Sequence, residues 1–194
     1  MSGWLTTRHI GVDTFANILI QQKPAAIPWM SRLLHEHEIK AVLELGTGSG
    51  AMTLLFGLHC PDKVVTADNK NILSLQTSAL FRKLGITEFV IDIYENNNMR
   101  YLIDYISSKC ACFENIHILV FCDNGNKHKD FELSRPYLKP GSLIVVDDCP
   151  EEFKPDTVDA TGLKRLYKDE LLADCRWSAW KITDNLNNEE DEKT

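Results

Sequence analysis

The sequence contains no long hydrophobic run. No stretch of its 194 residues reaches the roughly 18 consecutive apolar residues that a membrane-spanning helix needs. The N-terminus also has no apolar run that ends in a small-residue cleavage site. These absences exclude a membrane-spanning protein and argue against secretion. We therefore expect a soluble, cytoplasmic protein without a membrane partner.

Cysteine is too sparse for a disulfide scaffold. Six cysteines are spread over 194 residues, and three of them lie beside apolar, strand-like segments, where a free thiol behaves as a small hydrophobic side chain. We expect reduced thiols. Hydrophobic residues make up 44% of the chain, which is enough for a core, and the length favours one domain.

Positive charge is also scarce. The chain has 21 Lys and Arg against 28 Asp and Glu, a net charge of -7, and no dense basic stripe. Nucleic-acid binding normally requires a basic surface, so a polymeric phosphate partner is disfavoured. Residues 184–194 hold five acids and one lysine. We expect residues 1–183 to form the domain, with a helical lead-in at 1–40, and residues 184–194 to be a disordered acidic tail.

Short apolar runs rich in β-branched residues alternate with segments of helical period. The predicted strands cover residues 41–45, 64–67, 89–93, 116–122, 143–146 and 177–182. The predicted helices cover residues 28–38, 51–58, 72–84, 99–106, 129–138 and 163–172. This alternation predicts an α/β fold with a single doubly wound, mostly parallel sheet. In such sheets ligands bind beyond the carboxyl ends of the strands.

The first predicted strand runs into a glycine-rich turn in the segment VLELGTGSG. The spacing is G-x-G-x-G, which differs from the G-x-G-x-x-G of dinucleotide-binding turns, and the Gly-Lys-Ser/Thr of a P-loop is missing. Glu44, two positions before the first glycine, is an unfavourable neighbour for a phosphate. The turn predicts that the backbone closely approaches a ligand other than a phosphate.

This segment resembles motif I of the class I S-adenosylmethionine (SAM)-dependent methyltransferases, which have a Rossmann-like fold. The resemblance implies that Glu44 holds the ammonium end of the cofactor. A second match, VVTAD, implies that Asp68 binds the ribose hydroxyls, a role that suits a carboxylate. The family also implies that Asp92, in FVIDIYEN, lies near the adenine. The whole turn is expected to approach the methionine part of SAM: Gly46, Thr47, Gly48, Ser49 and Gly50.

Acidic residues follow the fourth and fifth predicted strands. Asp123 comes after the fourth strand, and Asp147 and Asp148 come after the fifth. Neighbouring parallel strands bring these carboxylates together, where they repel one another unless a cation or a shared proton intervenes. Hard oxygen ligands favour Mg²⁺, Mn²⁺ or Ca²⁺. The sequence therefore predicts a divalent metal site.

The same segments resemble the catechol- and caffeoyl-type O-methyltransferases and the sugar and antibiotic O-methyltransferases, in which these acids bind the metal. YLKPGSLIVVDD and the Gln-x-Pro lead-in of ILIQQKPAAIPWMSRLL are similar to the sugar-modifying group. Asp123 is also a candidate for the cofactor pocket and the catalytic centre. In the competing interpretation Asp123 serves the cofactor pocket, and Asp147 and Asp148 are solvated charges at a strand end with no metal. In the catechol type a lysine three residues after the first metal aspartate is the base. That position is Asn126 here, so Lys127 and His128 are both candidates for the proton acceptor.

These observations predict an enzyme that transfers the methyl group of SAM to a hydroxyl of a small-molecule or sugar acceptor, with a divalent metal. Little inserted sequence is left to build a lid, so a second copy in a homo-oligomer is a candidate to complete the acceptor pocket. The alternative is a non-catalytic protein that binds the cofactor or a partner on the same fold. Cys149 lies where RNA-directed cytosine methyltransferases carry a nucleophile, but the acids beside it disfavour a thiolate.

Overall fold

The chain alternates strands and helices, as its sequence pattern predicts. A computed structural model describes residues 13–15, 18–20, 22–95, 97–110 and 116–184, so most of the predicted tail lies outside the described residues. None of the described helices combines the length and apolar character that crossing a membrane requires. The elements are β1 (Asp13–Phe15), β2 (Ile18–Ile20), α1 (Ala26–Glu36), β3 (Ala41–Leu45), α2 (Ala51–His59), β4 (Val64–Asp68), α3 (Leu75–Lys83), β5 (Thr87–Val90), α4 (Asn98–Ser108), β6 (Ile118–Cys122), α5 (Lys127–Ser134), β7 (Leu143–Val146), β8 (Leu163–Leu166), α6 (Lys168–Cys175) and β9 (Ser178–Ile182).

Seven strands form one sheet in the order β5-β4-β3-β6-β7-β9-β8. The five strands from β5 to β7 in this order run parallel, whereas β9 is antiparallel to both of its neighbours. β1 and β2 form a separate antiparallel pair. The strand order reverses between β3 and β6, which is where doubly wound sheets bind ligands. The predicted α/β fold with a mostly parallel sheet is confirmed.

Helices cover both faces of the sheet. Every residue of the central strands β3 and β6 is buried, as expected for parallel strands between two helical layers. Successive side chains of β6 point to opposite faces of the sheet. Leu119 and Phe121 pack with residues of α1, α2, α3 and α6. Val120 and Cys122 pack with residues of α4 and α5 on the other face. Packing on both faces of the sheet therefore fixes the positions of the carboxyl ends of its strands.

One predicted helix is partly a strand. The sequence predicts a helix over 163–172, but Leu163–Leu166 form β8 and α6 begins only at Lys168. Every residue of β8 pairs with a residue of β9. Tyr167 has a φ of 44° and separates the strand from the helix. Pairing at the sheet edge therefore overrides an apolar spacing that also fits a helix.

Other differences lie at the ends of elements. The strand predicted at 89–93 covers Thr87–Val90. The helix predicted at 129–138 starts earlier, at Lys127, because the Asn126 side chain accepts a hydrogen bond from the Lys129 amide at 3.1 Å, an N-cap. The lead-in predicted as helical at 1–40 contains α1 and also the two short strands β1 and β2.

Candidate functional site

The turn between β3 and α2 has backbone conformations that favour glycine. Gly46, Gly48 and Gly50 have φ angles of 98°, 50° and 85°, in the left-handed region that side chains disfavour. Gly46 also lies against Asp123, because a Cβ atom added to Gly46 would come within 2.5 Å of the Asp123 carbonyl oxygen. The Asp123 amide donates to the Leu45 carbonyl at 2.8 Å. The turn therefore brings the carboxyl ends of β3 and β6 into contact.

Replacing Gly46 by alanine is expected to lower the free energy of unfolding by about 2 to 4 kcal/mol, because the new Cβ adds left-handed strain and an overlap with Asp123. Denaturant unfolding measures this change. Gly125→Ala is the matched control, since no atom lies within 4 Å of the Cβ position at Gly125. Equal stability of the two variants would contradict the close approach of β3 and β6.

A cavity of about 140 Å³ opens beside the glycine turn. It lies at the carboxyl ends of β3, β4 and β6, where the predicted cofactor site is expected. Most of the predicted cofactor-binding residues share this cavity. Its lining residues are Gln22, Glu44, Gly46, Thr47, Gly48, Ser49, Ala51, Met52, Asp68, Asp123 and Asn124.

Two of the predicted cofactor-binding residues lie outside the lining of this cavity. A Cβ atom added to Gly50 would meet the side chains of Phe81 and Thr77 at 2.8 Å, so this glycine makes room for α3. Asp92 is exposed after β5, where its carboxylate accepts a hydrogen bond from the Tyr94 amide at 2.9 Å. Gly50 therefore packs against α3, and the Asp92 carboxylate bonds within its own turn; a contact of either residue with the cofactor stays a prediction.

Glu44 is buried beside the turn, with only 1% of its surface exposed. Its Oε2 accepts hydrogen bonds from the hydroxyls of Thr53 and Thr66, the latter at 2.7 Å. Burial raises the pKa of Glu44 to about 8, against the opposite effect of these two hydrogen bonds. A cationic group that reaches Glu44 from the cavity would stabilise its ionised form.

Asp68 ends β4 and faces the glycine turn. Its Oδ2 accepts hydrogen bonds from the amides of Thr47, at 3.1 Å, and Gly48, at 3.4 Å. Its Oδ1 accepts from the Lys70 amide at 3.1 Å. The carboxylate thus holds the turn and lines the cavity at once, and its remaining lone pairs can accept hydrogen bonds from ligand hydroxyls.

The three predicted metal ligands lie together at the carboxyl ends of β6 and β7. Asp123, Asp147 and Asp148 each offer one oxygen, and these oxygens lie within 4.8 Å of one another. Asp147 is 4% exposed, and its Oδ1 has no hydrogen-bond partner within the described part of the chain. Burial raises the pKa of both Asp123 and Asp147, and repulsion from Asp147 raises that of Asp123 further. Lys127 lies within 4 Å of Asp123 and Asp148, and Arg176 pairs with Asp148, so the buried, unpartnered oxygen of Asp147 is the ligand atom that best fits a divalent cation.

Gln22 joins these carboxylates, and the sequence alone does not single it out. Its Nε2 donates to Asp147 Oδ2 at 2.6 Å and to Asp123 Oδ2 at 3.0 Å. Its Oε1 accepts from the Trp177 indole at 3.2 Å. The Gln-x-Pro motif before α1 contains Gln22 and is the sequence signal that points to this residue. The site therefore includes the segment before α1 as well as the strand ends.

Lys127 is buried at the start of α5 among acidic side chains. Its Nζ donates to Glu152 Oε2 at 2.8 Å and to the Asn124 carbonyl at 3.1 Å. It also lies 3.4 Å from Asp148 Oδ2 and 3.8 Å from Asp123 Oδ1. Burial acts to lower the pKa of Lys127, but the surrounding carboxylates outweigh it and the pKa is raised. Lys127 is therefore a cationic partner of the carboxylate cluster.

His128 follows Lys127 but contacts a different part of the molecule. Its ring stacks on Phe153, with ring centroids 4.4 Å apart, and its Nε2 accepts from the Lys154 amide at 3.3 Å. It lines a separate groove of about 610 Å³ beside α5. Of the two predicted proton acceptors, Lys127 thus lies at the carboxylates and His128 at this groove.

Cys149 lies after β7 in a buried position. Its Sγ donates to the Val146 carbonyl at 3.5 Å. Burial, with Asp147 nearby, raises the pKa of the thiol to about 12. A thiol held in its neutral form does not suit a nucleophile, in agreement with the sequence-based expectation.

The fold is similar to that of solved methyltransferase structures. A protein assigned as a caffeoyl-CoA O-methyltransferase from Staphylococcus aureus superposes with a TM-score of 0.58 and 15% identity, over 82% of this chain and 83% of that chain. The apo structure of CmcI gives a TM-score of 0.63 and 13% identity, over 92% and 82% of the two chains. The O-methyltransferase TomG from Streptomyces achromogenes, solved with SAM, gives 0.53 and 14%, over 82% and 79%.

These likenesses establish the fold of the chain. No protein-family model matches the sequence, and no curated protein is similar to it in sequence. The structural neighbours share its α/β architecture at 13–15% identity. The chain therefore has the Rossmann-like fold of the class I methyltransferases, and the predicted resemblance to the caffeoyl-type O-methyltransferases is confirmed at the level of the fold.

Proposed function

We propose that this chain transfers the methyl group of SAM to a hydroxyl of a small-molecule or sugar acceptor, with Mg²⁺ or Mn²⁺ at Asp123, Asp147 and Asp148. The observation that carries the proposal is that Asp123 belongs both to the cavity beside the glycine turn and to the carboxylate cluster. One crevice can therefore hold the cofactor and the acceptor side by side.

The proposed cofactor site is the cavity beside the glycine turn. Glu44 would accept the ammonium group of SAM, which compensates for the cost of ionising a buried carboxyl. Asp68 would accept hydrogen bonds from the ribose hydroxyls, and the turn leaves room for the methionine part. The neighbour TomG was solved with SAM bound, which supports the choice of cofactor.

The proposed acceptor site lies over the carboxylate cluster. Methyl transfer is an in-line displacement in which the methyl carbon bonds to the acceptor oxygen while its bond to the sulfonium breaks. The sulfur keeps the electron pair as the thioether of S-adenosylhomocysteine, and the hydroxyl proton passes to a base or to water. A divalent cation bound to the three aspartates would lower the pKa of that hydroxyl and fix its direction. TomG, a neighbour involved in tomaymycin synthesis, supports an acceptor of small-molecule type.

Lys127 is the better placed of the two candidate catalytic side chains. Its Nζ lies within 4 Å of two of the three aspartates, whereas His128 contacts Phe153 and Lys154. We therefore assign Lys127 to the acceptor hydroxyl. Its raised pKa makes the ammonium its resting form, so Lys127 would donate a hydrogen bond to the acceptor oxygen, and the hydroxyl proton would pass to water unless Lys127 had first lost its own.

Calorimetry and a transfer assay test this proposal in sequence. SAM and S-adenosylhomocysteine should each bind one site, with a Kd on the order of 1 to 100 µM. Incubation with methyl-labelled SAM and a panel of hydroxyl compounds in Mg²⁺ should then yield a labelled methyl ether. Absence of cofactor binding by the folded protein would refute the proposal, and binding without transfer to any acceptor would favour the non-catalytic alternative.

Asp68→Ala is expected to weaken SAM binding by about 10- to 100-fold. The change removes the acceptor for the ribose hydroxyls, each worth about 1 to 3 kcal/mol, and the acceptor that holds the Thr47 amide. Calorimetry at constant pH measures the affinity. Asp104→Ala is the control, because Asp104 is exposed on α4 beside Arg100. Unchanged affinity in folded Asp68→Ala would reject the assignment of Asp68 to the cofactor.

A further inference from the structure

The side-chain amide of Gln22 lies between two buried carboxylates. Its Nε2 is 2.6 Å from Asp147 Oδ2 and 3.0 Å from Asp123 Oδ2. An amide can donate one hydrogen to each oxygen, but it carries no net charge. Gln22 therefore satisfies the hydrogen bonding of these two oxygens without neutralising the two carboxylates.

A cation that bridged the same two oxygens would overlap Gln22. Mg²⁺ and Mn²⁺ lie near 2.1 Å from oxygen ligands, and the amide nitrogen already lies within hydrogen-bond distance of both Asp123 Oδ2 and Asp147 Oδ2. The amide and the cation are therefore mutually exclusive between these atoms.

The other oxygen of Asp123 is a poorer place for a cation. Asp123 Oδ1 lies 3.8 Å from the ammonium of Lys127, which would repel a divalent ion. Asp123 Oδ2 instead faces Gln22, and Asp147 offers a buried Oδ1 that has no hydrogen-bond partner in the described part of the chain. A cation that binds Asp123 through Oδ2 rather than Oδ1 would therefore compete with the Gln22 amide for that oxygen.

We propose that Gln22 is an internal competitor for the cation, which holds Asp123 and Asp147 together in the cation-free protein and is displaced when the cation binds. The inference rests on the proposed cation site, and it adds a residue that sets the cation affinity. It also links that site to the cofactor, because Gln22 lines the cavity beside the glycine turn. Its displacement breaks the hydrogen bond from Trp177.

Manganese titration followed by electron paramagnetic resonance tests the competition without any measurement of activity. Gln22→Ala and Gln22→Met both remove the donor, and methionine keeps a similar length. Each is expected to bind Mn²⁺ about tenfold more tightly than the wild type, the change expected when one hydrogen bond to a charged group no longer competes. Gln76→Met, at an exposed position of α3, should bind Mn²⁺ as the wild type does.

Tryptophan fluorescence provides a second measurement on the same proteins. Mg²⁺ should change the emission of the wild type, because Trp177 loses its hydrogen-bond acceptor, and should leave the emission of Gln22→Met unchanged. Trp177→Phe should remove the signal and thereby identify its source. A Mg²⁺ response of the same size in Gln22→Met would overturn the proposal.

Three further results would also overturn it, and none of them refutes cofactor binding. If Gln22→Ala and Gln22→Met bind Mn²⁺ more weakly than the wild type, Gln22 supports the cation site. If they bind it equally well, Gln22 is independent of the site. No Mn²⁺ binding by any of the proteins would remove the cation and its competitor together. Calorimetry with SAM on the same samples reports separately on the proposed function.

Discussion

Asp147→Asn is expected to lower kcat on the order of 100-fold while it leaves the affinity for SAM within about twofold of wild type. Asp147 is a buried member of the carboxylate cluster, and it lies outside the lining of the cavity beside the glycine turn. An amide in its place weakens the proposed cation site without altering the contacts of Glu44 or Asp68. Initial rates at saturating SAM and Mg²⁺, with calorimetry for the affinity, separate the two effects.

The same site predicts that EDTA abolishes transfer by the wild type and that Mg²⁺ or Mn²⁺ restores it. Asp156→Asn is the matched control, because Asp156 is an exposed carboxylate that pairs with Arg165 at 3.0 Å. Full activity in EDTA would contradict the cation. Equal losses in Asp156→Asn and Asp147→Asn would contradict a specific role for the cluster.

Two central strands of the sheet can be predicted from the sequence to the residue. Strands predicted at 41–45 and 143–146 match β3 and β7, because each is a run of buried side chains bounded by glycine or by polar residues. The glycine turn and the aspartates after β6 and β7 follow from these strands, since parallel neighbours end at the same edge of a sheet. Local sequence therefore predicts the position of the candidate site.

The residues that the sequence misses depend on distant contacts. β8 is defined by its pairing with β9, and Gln22 is brought to the site by hydrogen bonds to Asp123 and Asp147, which lie 101 and 125 residues further along the chain. No local period or propensity encodes such pairs. Asp92, which the family resemblance places near the adenine, is exposed after β5 and accepts a hydrogen bond from the Tyr94 amide, so its contact with a cofactor stays a prediction.

Wild-type protein without cofactor is expected to lose stability as the pH rises from about 5 to about 8, and Glu44→Gln is expected to lack most of that loss. The pKa of Glu44 is about 8 in the folded protein against an ordinary value of 4.5. Between these values the folded state binds a proton that the unfolded state has released, so the free energy of unfolding falls with rising pH. The difference corresponds to roughly 4 to 5 kcal/mol at full ionisation.

Urea unfolding at a series of pH values measures this effect as the difference between wild type and Glu44→Gln, in which the contributions of other titrating groups cancel. Glutamine keeps an oxygen that can accept from Thr53 and Thr66, so the variant removes the charge with little change in shape. Glu95→Gln, at an exposed position, should follow the wild type. Parallel curves for wild type and Glu44→Gln would contradict the raised pKa.

Saturating SAM should flatten the wild-type curve, because the proposed contact with the ammonium group holds Glu44 ionised in the folded state and brings its pKa towards the ordinary value. By the same linkage, the affinity of the wild type for SAM should increase from pH 6 to pH 8, whereas Glu44→Gln should bind weakly with little dependence on pH over that interval. A wild-type curve with the same slope in the presence and absence of SAM would mean that the ammonium group binds elsewhere in the cavity.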